Sequence, residues 1–189
     1  MQRASSTRLR DSLAPTRIAG ILFVSVMSGP IYLPYTHQCF VCGADNPHGL
    51  RLRFRFEEGE VRADFVPREA HAGYQGIVHG GVVASALDEV MFWAAAYATR
   101  QFHVSVAMQI RWSRKVAVGA DYHLAGRLVR EQRQFCFTDG ELRDQDGRVC
   151  AAATGKYYPM RPEDVPLGTA DFCPDPQTIP VAEFLCKRP

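Results

Sequence analysis

A chain of 189 residues can bury one full hydrophobic core but not two large ones. Its 47% apolar, 11% aromatic and 22% charged residues exclude a disordered, collagen-like or disulfide-dense protein, and no run of about 18 apolar residues offers a membrane span. The net charge of +2 belongs to one end: residues 1 to 26 hold Arg3, Arg8, Arg10 and Arg17 against Asp11 alone, and the near-neutral remainder gives no footing for nucleic acid.

Residues 1 to 17 are rich in Arg and Ser, and Ile18 to Met27 are mostly apolar, a pattern that imitates a secretory signal. Met27 is itself a plausible initiator, and everything that reads as a domain follows it. Residues 1–26 are therefore taken as a leader or over-extended start without fixed structure, a cleaved signal and an ordered structural extension being the alternatives. Residues 27–49 form a lead-in with Pro30, Pro34 and the pair Cys39 and Cys42. The other cysteines, Cys136, Cys150, Cys173 and Cys186, never repeat the CxxC. A four-ligand zinc site would need partners such as His37 or His48, whose spacing is not diagnostic. The expectation is reduced thiols in a tight turn and no metal.

From Leu50, apolar Leu50, Leu52, Phe54 and Phe56 alternate with charged residues, the period of a half-buried strand. Glu58-Gly59 turns the chain into a second alternating run, Val61, Ala63 and Phe65, which predicts a hairpin. A loop over residues 67 to 78 follows. From Gly80 to Thr99 the only charges are Asp88 and Glu89, so this stretch predicts a helix of about 30 Å, buried on most sides.

Val104, Val106, Met108, Ile110 and Trp112 then alternate with His103, Ser105, Ala107, Gln109 and Arg111. Further strands are expected from Tyr122, from Gln134 to Leu142, and from Val149 to Tyr158 after an Asp146-Gly147 turn. Four successive strands without an intervening helix predict an antiparallel meander. Residues 159–189, rich in Pro, predict an irregular tail, laid on the surface or loose. The fold class implied is α+β: a curved antiparallel sheet of about six strands around one long central helix, over residues 50–158.

Two features suggest chemistry. Gly76-Ile77-Val78-His79-Gly80-Gly81 leads into the helix, and a helix N-terminus offers unpaired N–H groups and partial positive charge to a negative oxygen. Asp88 falls nine residues after His79 on an apolar helix, where a carboxylate costs several kcal/mol unless paired or opened to a cavity.

These residues resemble the hotdog-fold acyl-CoA thioesterases of the PaaI-like branch. The likeness rests on GxxHGGxxxxxLDE (Gly76 to Glu89), on the order of the elements, and on CFVCGADNPHGL (Cys39 to Leu50). It covers about Cys39 to Met160. It implies a hotdog fold and hydrolysis of an acyl-CoA thioester, with no metal, no tightly bound cofactor and a cytoplasmic location. The backbone N–H of Gly81, or of Gly80, would be the oxyanion donor, and Asp88 the general base or nucleophile. Ser105 occupies the neighbourhood of an assisting Thr, while Gly73 stands where some members have Asn.

Gly81 and Asp88 are seven residues apart, about 10.5 Å along one helix, too far for both to act on one carbon. If both act, they come from different subunits, so a homodimer or homotetramer is expected. His79 is read first as a cap for the Gly-Gly turn. Glu89, about 100° further round the helix, is read as an interface or solvent group. Trp93, with Phe92 and Tyr97, belongs to the core or an acyl pocket, and Arg111, Arg114 and Lys115 could meet CoA phosphates. The alternatives are a non-catalytic acyl-CoA or aromatic-ligand binder, a hydratase or dehydratase needing His103 or His123 as acid–base partner, and a zinc-stabilised interaction module using Cys39 and Cys42.

Overall fold

The computed structural model describes residues 29–161, 163–165 and 169–184, and the leader expected at residues 1–26 lies outside them. The long helix α1 (Gly80–Thr99) spans the expected residues. Gly and Pro are absent from its interior, and Val83, Ala86, Leu87, Val90, Met91 and Ala94 to Ala96 are all buried. It ends where Arg100 adopts a left-handed conformation (φ 57°) and returns its N–H to the Ala96 carbonyl, a helix-terminating device.

Among the described residues nine strands surround it: β1 (Ile31–Tyr32), β2 (Arg55–Glu57), β3 (Glu60–Phe65), β4 (Ala72–Tyr74), β5 (Ile77–Val78), β6 (His103–Trp112), β7 (Tyr122–Gln132), β8 (Phe135–Asp144) and β9 (Val149–Pro159). Seven form one antiparallel sheet in the order β1-β2-β3-β7-β8-β9-β6. Positive φ at Glu58 and Gly59 makes the β2–β3 connection the tight hairpin the sequence predicts. Val61, Ala63 and Phe65 of β3 point into the core. Two glycines let α1 lie close against the sheet: a Cβ at Gly126 would stand 2.7 Å from the Val90 carbonyl oxygen, and one at Gly140 2.8 Å from Met91 Cγ.

The structure departs from the expected layout in four places. Leu50, Leu52 and Phe54 are buried as predicted, but their backbone bonds the lead-in through Leu50 N–H to Phe40 O and Leu52 N–H to Val41 O, so β2 starts only at Arg55. The expected loop over 67 to 78 contains a 3-10 turn (Glu69–His71) and the β4–β5 ribbon. Third, β7, β8 and β9 form a meander, but β6 lies beyond β9 at the sheet edge, and residues 113–121 carry the chain back across to β7.

Fourth, the described part of the tail is not loose. Lead-in and tail are tied by His37 N–H to Asp171 O, Cys173 N–H to Tyr35 O and Ile179 N–H to Tyr32 O. Phe172 and Phe184 from the tail pack on Trp93 and Phe102, sealing the C-terminal half of α1.

Candidate active site

The Asp88 carboxylate is the hub of a hydrogen-bonded cluster. Its Oδ1 accepts the Ser105 hydroxyl at 2.7 Å and the Tyr157 hydroxyl at 2.7 Å, and the Tyr157 oxygen also stands 3.0 Å from the Asp88 carbonyl. Oδ2 has no partner among the described residues, so it is free to act on an incoming group. Tyr157 is fully buried. Burial, reinforced by the Asp88 charge, pushes its phenol far above the ordinary range, so it serves as a neutral donor.

A β-bulge builds this cluster. Ser105 pairs with Tyr157 and Ala107 with Lys156, leaving Val106 as an extra residue on β6. Beyond it, Met108, Ile110 and Trp112 pair with Gly155, Ala153 and Ala151, whose two alanines are buried. The bulge shifts the phase of the strand. Ser105 therefore shares the helix-facing side with Met108, Ile110 and Trp112, where strict alternation sets it opposite them.

At the start of α1, His79 is the N-cap, and its Nδ1 accepts the Gly81 N–H at 2.9 Å, in line with the capping role read from the sequence. That bond occupies the very N–H expected to serve as oxyanion donor. The Gly80 N–H makes no hydrogen bond among the described residues. Gly80 lines a cavity of about 340 Å³ together with Ile77, Val78, Trp112, Arg114 and Lys115. Gly73 explains the missing Asn: a Cβ there would stand 3.0 Å from His79 Cα, so β4 approaches the cap closely.

Other predicted site residues lie elsewhere. Arg111 pairs with Ala152 and lines a separate furrow of about 590 Å³ with Arg127 and Asp139, not the Gly80 cavity. Trp93 is 1% exposed and enclosed by Phe92, Phe102, Phe172 and Phe184, which makes it a core residue. Glu89 is not a freely solvated group. Its carboxylate lies against the sulfurs of Cys39 and Cys42, and burial pushes its pKa up to about 8.

The acid–base pair a hydratase needs is not assembled at Asp88. His103 is buried against Cys136, with Nε2 3.4 Å from the sulfur, and His123 pairs with Asp64 at 2.9 Å. Tyr157 is the site residue that the sequence reading missed. Its only sequence signal is a Tyr near the end of an apolar strand, and the cross-strand pairing that aims it at Asp88 depends on the bulge.

Residues 75–151 match the family model of the thioesterase superfamily. A protein of Saccharolobus solfataricus provisionally named an esterase is 28% identical over 112 residues, covering 57% of this chain and 71% of its own. A thioesterase superfamily protein of known crystal structure superposes with a TM-score of 0.61 at 27% identity, over 65% of this chain and 60% of its own length. A hypothetical thioesterase of Streptococcus pneumoniae, solved with coenzyme A, has a TM-score of 0.51 at 19% identity, over 55% of this chain and 83% of its own. The family match takes in the capped glycine turn, all of α1 and the strands β6 to β8 packed on it, and the likeness to the solved thioesterase superfamily protein shows that the chain has a hotdog fold.

Proposed function

We propose that the protein hydrolyses acyl-CoA thioesters to free acid and CoA as a homo-oligomer whose active sites are each shared by two subunits. The observation that carries this reading is the clasp on Asp88. Two hydroxyls hold Oδ1 and leave Oδ2 to take a proton from water. The resulting hydroxide adds to the thioester carbonyl carbon, and the carbonyl oxygen gains negative charge. The Gly80 N–H at the positive end of α1 is the donor for that oxygen, replacing Gly81, whose N–H is bound to His79. Collapse of the adduct breaks the C–S bond and releases CoA as its thiolate. A thioester is already activated, so one base and one oxyanion donor suffice.

Gly80 and Asp88 are eight residues apart on one helix, about 12 Å, so the two groups acting on one substrate come from two subunits. The exposed edge strand β6 supports this assembly. It carries Ser105 beside Asp88, and the side chains of Val104, Val106 and Trp112 along it are exposed. Pairing of β6 with its copy would cover these side chains and bring the partner's helix start toward Asp88. Arg114 and Lys115 at the Gly80 cavity suit the phosphates of CoA, and the relative solved with coenzyme A supports the same ligand class. Neither a metal nor a cofactor takes part in this reaction, and the reading goes with a cytoplasmic location.

Thiol release from short, long and aromatic acyl-CoAs tests the proposal. Turnover on at least one class is expected. Binding of acyl-CoA without release of thiol on any of them would make the protein a binder instead.

A further inference from the structure

Glu89, the second carboxylate of α1, is not used by this chemistry, and neither is the CxxC of the lead-in. The fold brings them together: the sulfurs of Cys39 and Cys42 and a carboxylate oxygen of Glu89 all lie within 4.8 Å of one another. We propose that Cys39, Cys42 and Glu89 bind one zinc-type divalent cation that pins the lead-in to the helix carrying Asp88.

The turn around the two cysteines is shaped for a charged sulfur. Cys39 Sγ accepts the Val41 N–H at 3.2 Å and the Cys42 N–H at 3.5 Å, and the Gly43 N–H closes on the Cys39 carbonyl at 2.9 Å. A Cβ at Gly43 would stand 2.3 Å from that carbonyl oxygen, so only glycine completes this CxxCG turn. Backbone N–H groups aimed at sulfur favour the thiolate, the form that binds metal.

The third donor explains why a cation belongs here. Glu89 forms no ion pair among the described residues. Trp93, one helical turn on and 1% exposed, turns its indole N–H toward the Glu89 carboxylate without closing a hydrogen bond. Two sulfurs and a carboxylate gathered at one point are the donor set of a divalent cation, and no ion pair to Glu89 among the described residues competes for its carboxylate.

The geometry and donor chemistry also fit. With Zn–S near 2.3 Å, tetrahedral zinc wants its ligand atoms about 3.8 Å apart, which the cluster reaches by small side-chain shifts. Two thiolates with one carboxylate suit Zn²⁺ better than Cu⁺, which prefers sulfur alone. Three protein ligands leave the fourth position to water. His37, a partner considered from the sequence, is bound to Asp45 at 2.7 Å, and the helix supplies the third ligand in its place.

The test is metal content of the full chain, purified under reducing conditions and reconstituted with Zn²⁺, by mass spectrometry, alongside the absorption spectrum after Co²⁺ substitution. About one equivalent per chain and a thiolate-to-cobalt charge-transfer band are expected. Cys42→Ser should abolish the band, and Glu89→Gln should weaken affinity by more than the roughly 10–100-fold that loss of an outer-shell partner costs. Less than about a tenth of an equivalent in wild type would overturn the proposal without recourse to any variant. Unchanged affinity in Glu89→Gln would overturn the assigned ligand set, and a Cys39–Cys42 disulfide formed when the reduced, Zn²⁺-loaded protein is exposed to dioxygen, which takes the two electrons, would make the pair a redox couple instead.

Discussion

Asp88 and Glu89 are neighbours on one helix, and their surroundings differ in almost every respect. Asp88 faces the sheet edge, where β6 and β9 supply two hydroxyls to one of its oxygens and leave the other open. Glu89 faces the lead-in, where its neighbours are two sulfurs and an indole. The same contrast runs along the helix: its first turn opens on a cavity at Gly80, while its last turns are sealed by Phe102, Phe172 and Phe184. The type of residue does not decide what a buried carboxylate does. The element packed on it does, and a 100° step round the helix is enough to change that element.

The strongest way to break the contrast is to neutralise Asp88. Asp88→Asn should lower kcat for thiol release by about 10³-fold or more, while the metal content of the Glu89 side stays at about one equivalent. Loss of metal together with rate would mean that the two sides are coupled.

Gly80→Pro should come next. Proline removes the proposed donor N–H, yet the first helical position tolerates it, and His79 already has the extended backbone (ψ 135°) that a residue before proline prefers. Steady-state kinetics should show a fall of roughly 10²-fold, with circular dichroism unchanged.

Tyr157→Phe tests the clasp itself. It keeps the ring and removes one of the two donors, so kcat should drop about tenfold with KM little changed, and a denaturant titration should show a cost of about 1–2 kcal/mol. Equal rates in wild type and variant would leave Ser105 as the sole support of Asp88.

The smallest effect concerns His103, a buried ionisable group outside both clusters. Burial lowers its pKa from 6.5 to about 4, so between these values the unfolded chain binds a proton that the folded chain refuses. Its contribution is full above about pH 6.5 and is lost as pH falls toward about 4, a change of up to about 3 kcal/mol. Urea unfolding across this range should show a steeper loss for wild type than for His103→Leu.

Much of the fold is legible locally. The helix follows from an apolar stretch without Gly or Pro in its interior, the first hairpin from Glu58-Gly59 between alternating runs, and the capping role of His79 from its place before two glycines. Asp88 stands out because a charge on such a helix needs a reason. The rest depends on pairing between distant segments. One extra residue, Val106, sets the phase of β6 and so decides that Ser105 meets Asp88. The crossing from β6 back to β7 places β6 at an edge that strand order alone does not specify. Trp93 looks like a pocket wall until the tail folds over it. Glu89 looks like a surface group until the lead-in returns two cysteines to it.

The central claim is that a donor from one subunit and Asp88 from another act on one thioester. Co-expression of Gly80→Pro with Asp88→Asn tests it most directly, because a mixed dimer then holds one site with both groups intact and one with neither. Random pairing of the two chains should restore about one quarter of the wild-type rate, although each variant alone is nearly inactive. If the mixture is no more active than its parts, Gly80 and Asp88 act within one subunit or not at all, and the shared site is contradicted.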